Sequence, residues 1–431
     1  MESFKFIQKN FDGKTVSEQE IRKMGIKNNS FRMVDTLDEI LEYPPNIVIA
    51  ECVKPRSFAQ DKFKTQNLKK KSKYVMNVGV YQQLYFDVQT KQKVLKPYSV
   101  KFSKIYKPYK GQDLTDKTLL VMRTGGIGDL LFIQPNLNYL KEIYPSCTIH
   151  LACGPQYHAM LESWDCLDKI IDLPAPFQYV IKANYHAIFE GVIERCTLAH
   201  TKSAYRLFTK WLKLNLPDDK LIPIQKVNKE KKQTCLEILS DWNVDPHKFI
   251  CIQMRASSPI RTPRPSFWKN VINKLTDLGY KVVLIDMPAM SEQLDNFIDS
   301  LKNDRDVFNF SHYSTTLDYS IAMASLSKLV ISTDSSFIHI AAALRVPGFA
   351  FYGPFPGAIR LSTYKNIEWV DAKATCAPCF SHGPNPCKNS IEGHSVCYDN
   401  IDIDECINRI ERLLENGNKN SNDCEESSLD N

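Results

Sequence analysis

The chain has 431 residues, 43% of them hydrophobic, which is enough for more than one sizeable core and for two or three domains. No uncharged apolar run approaches 18 residues, which argues against a membrane-spanning helix. The start Met1-Glu2-Ser3-Phe4-Lys5 lacks the basic opening and apolar core of a secretory signal, so a cytoplasmic protein is expected. The net charge of +6 is unevenly placed: residues 61–117 carry 14 lysines against four aspartates, and the chain beyond them is mildly acidic.

Residues 1–117 read as an accessory α+β module. Ser17–Met24 and Thr36–Leu41 have helical spacing, Pro44-Pro45 stops the second, and Asn46–Ala50 reads as a strand. Lys69-Lys70-Lys71 resembles an exposed link. Tyr74–Val80 and Tyr85–Val88 look β-like, with a turn over Thr90–Lys93. Tyr98, Tyr106 and Tyr109 lie among lysines. Interleaved aromatics and cations suit stacked bases, so DNA is one partner considered for residues 61–117, yet tyrosines packing a small sheet explain the same letters.

From residue 118 the pattern changes. The apolar run Leu119–Met122 enters the turn Arg123-Thr124-Gly125-Gly126-Ile127-Gly128-Asp129, and Leu130, Leu137, Leu140 and Ile143 continue at helical spacing. This is a buried strand, a tight turn and a helix. Gly125, Gly126 and Gly128 let backbone amides approach a ligand, although many glycine turns only join a strand to a helix. Asp129 falls at the C-terminal edge of the expected sheet, where open α/β domains bind ligands. Cys147–Cys153 and Lys169–Leu173 follow as strands, residues 185–214 are rich in helix formers, and residues 215–227 lead into a second lobe. The expected boundaries are an accessory module over 1–117, a first lobe over 118–222, a second over 223–415, and a disordered tail over 416–431.

The second lobe repeats the grammar, with strands at 248–254, 280–285, 328–332, 348–352 and 367–370 and helices at 267–278, 318–326 and 335–344. Two α/β lobes leave a cleft between them. Thr333-Asp334-Ser335-Ser336-Phe337-Ile338-His339 opens the helix whose Ala341, Ala342 and Ala343 permit close packing. Ser335 or Ser336 can cap it, and its free amides suit a phosphate. His339 reads either as a ligand contact or as a hydrogen-bonded core residue. Arg255, Arg261 and Arg264 follow the first strand in a proline-rich loop, and one of them, Arg261 ahead of Arg264, is expected on phosphate.

Cys376-Ala377-Pro378-Cys379, Cys387 and Cys397 form the last constellation. Four thiolates close the shell of one zinc ion and leave no open position, so the expected role is to pin a loop. A disulfide or redox pair, or ordinary thiols, remain alternatives. Seven other cysteines, all before residue 260, read as buried thiols.

Arg123–Asp129, Thr333–Ala343, Tyr352-Gly353-Pro354 and the Cys376–Cys379 loop together resemble the motifs of the ADP-heptose:lipopolysaccharide heptosyltransferases, glycosyltransferase family 9, in the right order over residues 118–415. The resemblance implies a GT-B fold, two Rossmann-like lobes facing a cleft, and inverting transfer from a nucleotide-diphosphate sugar. It places the general base on Asp129, and ribose or phosphate contacts on Asp334 and Ser335. Ser336 and Arg345 stand where members usually have glycine, and Thr262-Pro263 where Trp-Pro is usual. Residues 1–117 lie outside the motifs.

The expected chemistry is one displacement. Asp129 takes the proton of an acceptor hydroxyl as that oxygen attacks the anomeric carbon, and Arg261 or Arg255 with the Ser335–Ser336 helix start stabilises the leaving diphosphate. No catalytic metal is then required. The expected acceptor is a glycan or lipopolysaccharide-type precursor; a DNA-modifying transferase acting on a hydroxylated base, and a noncatalytic nucleotide- or carbohydrate-binding scaffold, are the rival readings.

Overall fold

A computed structural model describes residues 34–42, 47–59, 65–87, 90–381, 387–391 and 393–426. The expected helix at Ser17–Met24 lies outside them. The chain divides into two compact units, Met1–Pro217 and Asp218–Asn431, so the break falls five residues before the expected lobe boundary.

The first unit contains two main sheets. One is antiparallel and holds β1 (Ile47–Cys52), β2 (Lys73–Asn77) and β3 (Leu95–Pro97). The other is parallel and holds β4 (Thr118–Met122), β5 (Thr148–Cys153), β6 (Lys169–Asp172) and β8 (Tyr185–Ile188). Between β6 and β8 the chain crosses over: β7 (Ala175–Pro176) pairs with β2 and completes the antiparallel sheet in the order β7-β2-β1-β3. Side chains alternate along β1, so Val48, Ala50 and Cys52 face one core. Ile47 and Ile49 face another, shared with Leu120, Met122, Ala152, Ile171 and Ala175. The accessory sheet is therefore covered on both faces, and one of its covers is the first lobe.

Three local expectations change. Val78, Gly79 and Val80 begin helix α1 (Val78–Leu84) instead of extending a strand, because the Asn77 side chain accepts from the Val80 N–H at 2.7 Å and caps the turn. Tyr185–Ile188, expected among helix formers, is a strand because its parallel pairing with β4 overrides weak local preference. Only Ala204–Trp211 of that stretch forms the helix α3, after α2 (Ile127–Ile143). The tyrosines among the lysines are committed to packing. Tyr106 stacks on His186 at 5.9 Å between centroids, Tyr109 is buried against Tyr185, and Lys73 Nζ sits 4.6 Å over the Tyr98 ring.

The second unit carries one six-stranded parallel sheet. Its strands are β9 (Phe249–Gln253), β10 (Lys281–Leu284), β11 (Val307–Asn309), β12 (Leu329–Thr333), β13 (Gly348–Tyr352) and β14 (Ile367–Asp371), in the order β11-β10-β9-β12-β13-β14. That is the doubly wound Rossmann order, with its reversal between β9 and β12. The parallel sheet of the first unit, β6-β5-β4-β8, reverses in the same way between β4 and β8. Helix α4 (Ser336–Leu344) leaves β12, and its alanines are buried against the sheet. The final helix, α5 (Ile403–Glu426), runs past the expected start of a disordered tail at residue 416. Its apolar anchors Ile407, Ile410 and Leu414 reach the core and set the helix going; residues 427–431 lie outside the described chain. Among the described residues, no helix is long and apolar enough to cross a membrane.

Candidate functional site

The reversal in each parallel sheet is where its candidate groups gather. In the first unit, β4 ends at Met122 and the glycine turn follows. Gly126 has φ 89°, in the left-handed region, which brings the start of α2 round so that Asp129 returns over the turn. A Cβ at Gly126 would fall on the Asp129 carboxylate, 3.0 Å from its Cγ. The close approach is what requires glycine there.

Arg123 lies beneath the turn, 5% exposed, and its three guanidinium nitrogens are all engaged. Nε donates to Gly125 O (3.0 Å) and Nη1 to Phe189 O (3.0 Å) and Glu194 Oε2 (3.3 Å); Nη2 donates to Glu194 Oε1 and Asp129 Oδ2, both at 2.5 Å. Burial opposes the guanidinium charge, but Asp129, Glu194 and Glu190 outweigh it and hold the group protonated. The Thr124 N–H donates to Glu190, whose carboxyl burial pushes up against the pull of Arg123. Asn77 at the end of β2 donates through Nδ2 to Thr124 Oγ1 at 2.6 Å, so the accessory sheet touches the turn itself. Tyr157 completes the rim, its hydroxyl accepting from the Gly126 N–H at 3.3 Å and its phenol raised by burial. Glu190, Glu194, Tyr157 and Asn77 were not singled out from sequence. The two glutamates follow β8, whose place beside β4 is visible only in the structure.

In the second unit, Ser335 caps α4 by accepting from the Phe337 N–H at 3.2 Å, and its hydroxyl donates to Gln253 Oε1 at 2.5 Å, across the reversal. Arg261 arrives from the loop after β9. Its Nη1 donates to Asp334 O (2.8 Å) and lies 3.5 Å from Asp334 Oδ1, and its Nη2 donates to Ser257 Oγ (2.9 Å). The loop is held in turn by Thr333 Oγ1 and the Tyr398 hydroxyl, which donate to Arg261 O at 2.6 and 3.0 Å. Ser336 is the first residue of the helix proper. His339 is buried one turn further on, with Nδ1 3.2 Å from the Tyr364 hydroxyl; burial, then Arg360 and Arg261, push its pKa down to about 3, so the ring is neutral.

Among the described residues, Arg261 Nε, Arg360 Nη1 and the Tyr352 hydroxyl are buried without a hydrogen-bond partner. Arg261, Arg360 and Asp334 all lie within electrostatic reach of the Tyr352 hydroxyl. The other two arginines are engaged: Arg255 makes a two-pronged pair with Asp286 at 2.7 and 3.1 Å, and Arg264 pairs with Asp399 at 2.9 Å.

The cysteine loop follows β14. Cys397 is buried; burial raises its thiol, and Cys387, Cys376 and Cys379 add to the rise, so the four sulfurs lie within electrostatic reach. Asn389 links two of them, its N–H 3.4 Å from Cys387 Sγ and its Nδ2 3.8 Å from Cys376 Sγ. Among the described residues, no three His, Cys, Asp or Glu side chains are drawn close enough to hold an ion. The seven earlier cysteines are all buried, as expected.

Residues 189–388 match the family described as Glycosyltransferase family 9 (heptosyltransferase). No curated protein matches the chain. Among solved structures, the glycosyl transferase family 9 protein of Veillonella parvula DSM 2008 is 16% identical, covering 71% of this chain and 99% of its own, with a TM-score of 0.55. The E. coli ADP-heptose lps heptosyltransferase II is 14% identical over 70% and 99%, with a TM-score of 0.51. The iron-containing dodecameric glycosyltransferase TibC of enterotoxigenic E. coli H10407 is 13% identical over 86% and 97%, with a TM-score of 0.50. That last coverage exceeds what residues 118–431 amount to, so the likeness of fold reaches into the accessory segment. The match over residues 189–388 and the two Rossmann-type sheets agree with the resemblance carried by the motifs, and the likeness to the solved structures is one of fold.

Proposed function

We propose that the protein is an inverting glycosyltransferase that takes a nucleotide-diphosphate sugar and transfers the sugar to a glycan or lipopolysaccharide-type acceptor. The observation that carries the donor half is the set of buried, unpartnered atoms Arg261 Nε, Arg360 Nη1 and the Tyr352 hydroxyl, with Arg261, Arg360 and Asp334 all in reach of Tyr352 and Asp334 just before the start of α4. Unpaired buried donors cost stability, and an anion satisfies several at once. In this reading Arg261, the amides at Ser336 and the Ser335 cap hold the diphosphate, Asp334 and His339 contact the donor beside it, and Arg255 stays with Asp286.

Asp129 is the general base. It removes the acceptor hydroxyl proton as the oxygen bonds to the anomeric carbon; the bond from that carbon to the donor phosphate oxygen breaks, and its electron pair leaves on the nucleoside diphosphate. One displacement inverts the anomeric configuration, and no metal takes part. Asp129→Asn tests the role. Donor binding should persist while turnover falls by about 100-fold or more; normal turnover defeats the assignment. Turnover of a panel of nucleotide sugars against lipid-linked glycans and DNA identifies both substrates.

The spacing of Cys376, Cys379, Cys387 and Cys397, and their electrostatic reach of one another, support a structural metal that would draw the four thiols together. Zinc suits such a set, and so does iron, which the structurally similar TibC contains. The ion would brace the loop after β14 and supply no chemistry to transfer. Elemental analysis of protein purified without chelator should find about one zinc or iron per chain, lost in Cys379→Ser with a lower melting temperature; a metal-free wild-type protein of unchanged stability refutes it.

A further inference from the structure

Asp129 does not meet Arg123 alone. The guanidinium makes one contact with Asp129 and two with Glu194, and the side chains are buried to different degrees: Arg123 is 5% exposed, Asp129 18% and Glu194 51%. A carboxylate with sole claim on a buried cation is a poor base, because the ion pair must be given up when the proton arrives. That exchange would also leave the guanidinium buried and uncompensated, which is costly.

We propose that Glu194 is a positioning residue that sets the basicity of Asp129 by sharing Arg123 with it. The inference rests on Asp129 being the base. When Asp129 takes up the acceptor proton, Arg123 keeps its two bonds to Glu194 and stays neutralised, so the proton is accepted without stranding a charge. The groups that face Asp129 come from three places: Arg123 after β4, Glu190 and Glu194 after β8, and Tyr157 after β5. Glu190 binds the turn through the Thr124 N–H, whereas Glu194 spans both terminal nitrogens of the guanidinium, so it is Glu194 that competes with Asp129 for the same donors.

The test needs no substrate. The Asp129 carboxyl carbon can be followed by NMR in protein labelled at aspartate, its signal assigned by its loss in Asp129→Asn. Glu194→Gln removes the competing charge, leaves Arg123 to Asp129, and should lower the Asp129 midpoint by about one pH unit. The acid limb of kcat/KM should move the same way with a lower plateau. A midpoint that stays within about 0.2 units, or rises, overturns the proposal, since a merely structural clamp would alter stability without moving it. Glu194→Asp keeps the charge but withdraws it by one methylene, and should move the midpoint down by a fraction of that shift; it decides the matter if the glutamine variant does not fold. Loss of turnover in Asp129→Asn with an unresponsive midpoint would refute this inference and leave the base in place, and an active Asp129→Asn would do the reverse.

Discussion

Gly126→Ala separates the geometry of the turn from the stability of the fold. The substitution has two costs. An alanine held at φ 89° loses about 1–2 kcal/mol relative to glycine, which for a unit of this size lowers the melting temperature by roughly 2–8 °C. The added methyl also lies 3.0 Å from Asp129 Cγ and overlaps its carboxylate oxygen, so that the carboxylate must retreat by about 1 Å to reach ordinary contact. A displacement of that size at a reacting group costs about 100-fold in rate. Gly279→Ala is the matched control. Gly279 has φ 84°, and a methyl added there would meet nothing within 4 Å, so it bears the conformational cost without the clash. Release of nucleoside diphosphate, followed alongside thermal melts, should show both variants less stable and only Gly126→Ala impaired in turnover. Full turnover in a folded Gly126→Ala, or equal losses in the two, would refute the claim that Asp129 must sit over a bare backbone.

The buried His339 adds a pH dependence. Its folded pKa of about 3 lies below the ordinary 6.5, so the unfolded chain binds its proton first and stability is lost as pH falls from about 6.5 toward 3, by up to about 1.4 kcal/mol per unit. Denaturant melts of His339→Gln should show a correspondingly flatter profile over that window; parallel profiles would mean the ring is charged in the fold. Arg261→Ala should weaken binding of the nucleoside diphosphate that the donor panel identifies by about 10–150-fold in calorimetry, the worth of one charge-assisted contact, while Arg255→Ala changes it less than about threefold. Equal losses would place both guanidinium groups on the phosphates.

The repeating strands and helices from Leu119 onward were legible because their signal is local: each apolar run is largely buried, and the two corners carry their own glycine turn and serine cap. The glycine turn and the Ser335 corner were legible for the same reason. What escaped was long-range. Glu190 and Glu194 reach the turn only because β8 lies beside β4, an adjacency that no spacing encodes across 66 to 71 residues. Asn77 reads as one more residue of a β-like run, and its contact with Thr124 follows only once β2 is placed against the first lobe. Arg345 shows the converse. It stands where a glycine is usual, and the structure holds it at φ 62° as the left-handed end of α4, with Nη1 donating to Pro223 O and Ala342 O as partial compensation. The departure in sequence left the backbone path intact.

The two-residue strand β7 has a consequence for anyone trimming the protein. By lending Ala175 and Pro176 to β2, the first lobe and the lysine-rich front are stitched through each other, and Leu120, Met122 and Ile171 owe their dryness to Ile47, Ile49 and Val75. A version cut back to the span of the shorter family structures would open that seam to water and present a greasy face to its neighbours. The front is part of the protein's own masonry and not a detachable handle.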